Sequence, residues 1–213
     1  MCSAAVAEYE PLPGAAAPVD PSADPLAEVQ LDTALAYSGV FFEVIRDTVR
    51  CPDGHEGVRE FIRHPGAVMI VALLDDETVV LERQFRYPLG RSFIEMPAGK
   101  LDAGEDPLGC ARRELREETG YDAGRWERLG QIHNAIGYSN EKIEIYLARD
   151  LVFAGASTEA GEVLEVFTAP WRQLLEWIEQ GSVTDVKTII GAHWLERHLS
   201  GRHRADTASG ARA

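Results

Sequence analysis

The order of apolar patterns along the chain predicts an α/β fold, a mixed β-sheet sandwiched between helices, with a β-hairpin ahead of it. Two observations carry that prediction. Strand-like and helix-like segments are intermixed, with one helix in mid-chain and two at the end, which suits a layered domain rather than separate all-α and all-β parts. The near-continuous apolar run AVMIVALL, residues 67–74, reads as a central strand buried on both faces. A length of 213 residues with 45% hydrophobic content suits one well-cored domain with small extensions.

Residues 1–36 are rich in Ala and Pro (Pro11, Pro13, Pro18, Pro21, Pro25) and are expected to be disordered; the same holds for the tail 200–213. Residues 37–64 form the expected hairpin: 40–49 and 57–63 are strands, and CPDGHE supplies the reversal through Pro52, Asp53 and Gly54. The main domain is expected over 65–199. Strands at 67–74 and 78–85 flank the Asp75-Asp76 turn, and a short strand at 93–97 follows. Asp106 before Pro107 is a helix-start signal and Gly120 a stop, so a helix is expected over 107–119. Strands at 126–133, 142–151 and 163–168 come next. Amphipathic helices at 171–180 and 184–199, split at Gly181, close the domain with Trp177, Ile178, Ile189, Ile190, Trp194 and Leu195 on the apolar face.

The formal net charge of −14 disfavours nonspecific binding to nucleic acid or to an anionic membrane. Neither partner is expected. Cys2, Cys51 and Cys110 are scattered, odd in number and without a CxxC pair, which points to a reducing compartment. Cys110 reads as a small buried apolar residue. No run approaches a membrane span, and residues 1–17 lack the basic and apolar regions of a signal peptide, so a cytoplasmic protein is expected.

The chemistry concentrates in GKLDAGEDPLGCARRELREETGY, residues 99–121. On the expected helix Glu114, Glu117 and Glu118 stand at i, i+3 and i+4, so three carboxylates share one face while Leu108, Ala111 and Leu115 are available for packing. Clustered like charges repel, and a hard divalent cation with oxygen ligands, Mg²⁺ or Mn²⁺, relieves that repulsion.

The segment resembles the Nudix box, G-x5-E-x7-R-E-U-x-E-E-x-G-U with U a bulky apolar residue. Gly99, Glu105, Arg113, Glu114, Leu115, Glu117, Glu118, Gly120 and Tyr121 meet every specified position. The resemblance implies an α/β/α sandwich and metal-dependent hydrolysis of a nucleoside diphosphate linked to another group. It assigns metal ligation to Glu114, Glu117, Glu118 and the carbonyl of Ala98, with Gly99, Glu105, Arg113 and Gly120 supporting the box. Arg113 reaches phosphate or pairs with a box glutamate such as Glu105, and the second reading is favoured.

The flanks, Gln84-Phe85-Arg86 and Glu95-Met96-Pro97-Ala98-Gly99, resemble the ADP-ribose pyrophosphatase branch of that family. That branch implies AMP and ribose 5-phosphate as products and a homodimer in which the hairpin crosses to the partner. Arg86 is then a ligand of the substrate diphosphate or ribose, or else a strand-end arginine paired with an acid. Arg59 is a second substrate candidate, supplied across the dimer. One departure stands out: Ile136 occupies the place of a proline that is usual in the loop 134–141. Glu141 in that loop is the candidate general base or additional metal ligand, ahead of Glu144. Tyr138, Phe41 or Phe42 could stack on adenine. The six histidines carry no metal spacing and are assigned no catalytic role, and the four tryptophans read as packing residues. The alternatives are cleavage of another nucleoside-diphosphate sugar, such as GDP-mannose, and a non-catalytic ADP-ribose sensor. Sensors of that kind usually lose box glutamates, and none is lost here.

Overall fold

The computed structural model describes residues 24–155, 161 and 163–201. By proximity the chain divides into two units, one of residues up to 38 with 44–60, the other of 39–43 with 61 onward.

The strands β1 (Val29–Ser38), β2 (Glu43–Arg50) and β3 (Glu56–Arg63) form a sheet in the order β1-β2-β3, most of which belongs to the first unit. The turn between β2 and β3 closes as expected. Cys51 N–H donates to His55 O at 2.8 Å, and Gly54, at φ +89°, donates to Cys51 O at 2.9 Å. Two expectations are corrected here. The extension is a three-stranded sheet rather than a hairpin, and residues 29–36, read as disordered, lie in β1. The physical reason is a period-two pattern, Val29, Leu31, Thr33, Leu35 and Tyr37, that the Ala/Pro-rich flank obscures. Residues 1–23, 202–213 and His203 lie outside the described residues.

The second unit is built around β4 (Ala67–Ala72), all six residues of which are buried. It pairs antiparallel with β7 (Ala98–Lys100) and parallel with β9 (Ile143–Phe153), which pairs antiparallel with β8 (Tyr121–Ile132). The order is β7-β4-β9-β8. A second sheet, β10-β5-β6, joins β10 (Leu164–Pro170), β5 (Thr78–Arg86) and β6 (Arg91–Glu95), all antiparallel. The strands flanking the Asp75-Asp76 turn therefore enter different sheets, linked by one bridge between Leu73 and Val79.

Alternation along β4 sets the layers. Met69, Val71 and Leu73 pack with Leu174 of α2 (Trp171–Glu179) and with Ala192 and Leu195 of α3 (Val186–Leu199). Val68, Ile70 and Ala72 pack with Cys110, Ala111 and Leu115 of α1 (Pro107–Thr119). Each large side chain so buried is worth roughly 1.5–3 kcal/mol. At Gly191 the helix comes so close to β4 that a Cβ would lie 2.6 Å from Met69 Cε.

Helix α1 has the bounds its local signals predict. The Asp106 carboxylate accepts from Leu108 and Gly109 N–H, both at 3.1 Å, and Gly120 ends the helix at φ 77°. Trp171, Trp177 and Trp194 pack in the first cluster and Trp126 in the second, as the sequence predicts. Among the described residues no helix is long and apolar enough to cross a membrane.

Candidate metal and substrate site

Helix α1 turns its acidic face toward β7, and Arg113 organises it. Its guanidinium grips Glu105 with two bonds, Nε to Oε1 and Nη2 to Oε2, each 2.9 Å. It also donates to Glu114 at 2.8 Å, to Glu117 at 3.0 Å and to the Lys100 carbonyl at 3.2 Å. The Arg113–Glu105 bond is the main cause holding the Glu105 carboxyl down to about 2, and the same bond raises the arginine above its ordinary range. Burial, aided by the charge of Glu105, pushes the Cys110 thiol up to about 12, which makes it an inert packing residue.

Gly99 is required sterically, since a Cβ there would overlap the carboxylate of Glu114. Glu118, nearly fully buried, turns to the strand and accepts from Ala98 N–H at 3.1 Å. The sequence places Glu114, Glu117 and Glu118 on one face; the structure brings Glu114 and Glu118 to β7, while Glu117 meets Arg113. Among the described residues, however, no three acidic, His or Cys side chains converge as a metal cage. The guanidinium of Arg113 lies between Glu114 and Glu117 instead.

A second charged cluster forms where β5 and β6 meet α3. Arg86 binds Glu95 with two parallel bonds, Nε to Oε1 and Nη2 to Oε2, both 2.7 Å. Lys187 of α3 also bonds Glu95 Oε2, and it reaches Asp185 at 3.0 Å. Burial alone would raise the Glu95 carboxyl. The bond from Arg86 and the charge of Lys187 outweigh it, so Glu95 titrates below its ordinary value. Sequence reasoning named Arg86 and its acid-paired alternative but not Lys187, Asp185 or Thr188. Asp185 carried a signal as a helix N-cap, whereas Lys187 is 92 positions from Glu95 and carried none.

The loop 134–141 is tied down at several points. Tyr138 and Ser139 N–H both bond Ala135 O, Ile62 N–H bonds Tyr138 O at 2.8 Å, and His64 N–H bonds the Asn140 side chain at 2.8 Å. Glu141 accepts from Asn134 Nδ2 at 2.8 Å. Its other oxygen lies 3.6 Å from His64 Nδ1, a nitrogen that already accepts from Gly66 N–H, so His64 in this tautomer is no donor to Glu141. Ile136 and Tyr138 are exposed, and Phe41 stacks beneath Lys100 Nζ at 4.6 Å. Glu144 is buried on β9 and bound to Arg128 at 2.8 Å. Arg59 belongs to the first unit, where it is ion-paired with Glu28.

A family model described as the NUDIX domain matches residues 63–190. The chain is 34% identical to the methanol dehydrogenase activator of Bacillus methanolicus, over 83% of this chain and 97% of the relative. It is also 34% identical to the ADP-ribose pyrophosphatase of Bacillus subtilis (strain 168), over 75% and 88% respectively. A crystal structure described as an ADP compounds hydrolase shares the fold, with a TM-score of 0.74 at 24% identity, covering 83% of this chain and 96% of that one.

Proposed function

This chain belongs to the NUDIX family, and from that premise we propose that it is a pyrophosphohydrolase that cleaves ADP-ribose to AMP and ribose 5-phosphate. The observation that carries the reading is the charge imbalance on α1. Arg113 serves Glu105, Glu114 and Glu117 at once, while Glu118 adds a further carboxylate on the same face. That donor set, all hard oxygen, fits a divalent cation. Glu114, Glu117, Glu118 and the Ala98 carbonyl would hold it, and we take Mg²⁺ as the ion. When bound, the ion supplies charge neutralisation at the pyrophosphate and a more acidic water.

The protein's own groups do the rest. Arg86 presents a planar guanidinium to the diphosphate oxygens. Glu141, oriented by Asn134, takes a proton as the water oxygen bonds to phosphorus and the bridging P–O bond breaks. Tyr138 and Phe41 offer exposed aromatic faces for adenine. A homodimer that brings Arg59 to the partner's substrate, and residence in the cytoplasm, complete the reading. The free thiols of Cys51 and Cys110 are consistent with that compartment.

The test is hydrolysis of a panel of ADP-ribose, GDP-mannose, UDP-glucose, NADH, diadenosine polyphosphates and nucleoside triphosphates, in Mg²⁺ or in EDTA, with products resolved by mass spectrometry. EDTA-sensitive release of AMP and ribose 5-phosphate, with ADP-ribose the best substrate by kcat/KM, is expected. A different best substrate would refute the assignment of ADP-ribose and leave the hydrolase. Tight binding of ADP-ribose without turnover would instead establish a sensor.

A further inference from the structure

Four consecutive residues, from the last of β6 to the first of β7, are each fastened to another part of the fold. Glu95 binds Arg86 and Lys187. Met96 N–H donates to Thr188 Oγ1 at 2.9 Å, Pro97 O accepts from Ile70 N–H at 2.8 Å, and Ala98 N–H donates to Glu118 at 3.1 Å. This short crossover therefore joins the arginine assigned to the substrate with the carboxylates assigned to the metal, and the first turn of α3 anchors its beginning.

The exposures within that anchor are unequal. The Arg86 side chain is 40% exposed, Lys187 12% and Glu95 only 3%. Glu95 engages the Nε–Nη2 edge of Arg86 and not Nη1; for Arg86 to turn that paired edge to an incoming diphosphate, it must release a carboxylate that has almost no access to water. A buried carboxylate deprived of its cation is strongly destabilising, so an arginine that was its sole partner would be held in place. Lys187 removes that obstacle. It is already bonded to the same oxygen, Glu95 Oε2, that accepts from Arg86 Nη2. Its own position is set by Asp185, which caps α3 by accepting from Thr188 N–H at 3.0 Å.

We propose that Lys187 is a positioning residue that keeps Glu95 paired while Arg86 exchanges that carboxylate for the substrate's diphosphate. The proposal rests on the assignment of Arg86 to the substrate, and it concerns how that contact becomes available. Lys187 itself need not touch the substrate.

The experiment is a mutant cycle among Arg86→Ala, Lys187→Met, Glu95→Gln and their pairs, with Lys187→Arg as the conservative control. Steady-state kinetics on ADP-ribose in Mg²⁺ are read alongside calorimetric ADP-ribose affinity in EDTA. Lys187→Met should raise KM and Kd about tenfold while kcat falls less than about threefold, and Lys187→Arg should recover most of the loss. With Arg86 or Glu95 already replaced, Lys187→Met should change Kd by less than about twofold. An equal loss in all backgrounds would overturn the proposal, as would a fall in melting temperature without any change in Kd. Should Lys187→Met not fold, the Glu95→Gln/Lys187→Met pair decides. Affinity equal to that of Glu95→Gln alone supports the proposal, and a further tenfold loss, about the size expected of a direct contact, overturns it. Arg86→Ala separates the two levels of inference. Unchanged Kd would remove Arg86 from the substrate site, whereas a raised Kd with Lys187→Met silent would overturn the role of Lys187 alone.

Discussion

The two charged clusters of the main unit are built with opposite proportions. At α1 one cation, Arg113, is shared by three carboxylates; at the β5-β6 junction one carboxylate, Glu95, is shared by two cations. The first gathers several carboxylates about one guanidinium, the arrangement that the proposed cation would neutralise. The second sets two cations against Glu95, with Asp185 beside Lys187 and the buried Glu82 also acting on Arg86, and in the proposed reading it lends one of those cations to an anion. Neither property belongs to any single residue. In the proposed reading the ratio of partners, together with burial, assigns the metal to one cluster and the phosphate to the other.

The sharpest way to break this contrast is to weaken the acid-rich cluster. Glu117→Gln keeps the shape of the side chain and removes one charge, and kcat should fall at least about a hundredfold at saturating Mg²⁺ with little change in KM. A kcat near that of the unmodified protein would remove Glu117 from the metal site. Gly99→Ala should act next most strongly, because its methyl group would displace the Glu114 carboxylate. The expected result is divalent-ion affinity weakened about 10- to 100-fold, read by Mn²⁺ titration, with catalysis partly restored at high metal concentration.

The smallest effect concerns acid stability. The Glu105 carboxyl is depressed from 4.5 to about 2 by Arg113, so its contribution to stability is fully present above pH 4.5 and is lost as pH falls toward 2. Glu105→Ala should therefore melt a few degrees lower, at roughly neutral pH, and converge on the unmodified protein near pH 2. A melting difference that grew on acidification would reverse the assigned sign.

What the sequence made legible was local. Helix α1 starts and stops where it does because Asp106, Pro107 and Gly120 act on their immediate neighbours, and the Arg113–Glu105 pair spans only eight positions. The burial of β4 followed from its own composition. The assignment of β4 and β5 to different sheets did not, because it depends on partners far along the chain. The same distance hid Lys187, whose partner is set by the packing of α3 and not by any nearby motif. Strand β1 was missed for another reason: its alternation was present but lay inside a flank whose composition argued for disorder.

The parallel pairing of Ala67–Ala72 with Ile143–Ala148 has a consequence for the nascent chain. As the protein is synthesised, β4 emerges before α1, β8 and β9 have been made. Its most apolar segment must then wait, without its central neighbour, until the ribosome has added everything up to β9. Pairings between distant segments slow folding, and an unpaired apolar strand is open to association with other chains. The strand that later seats the box is thus the one most in need of shelter during translation.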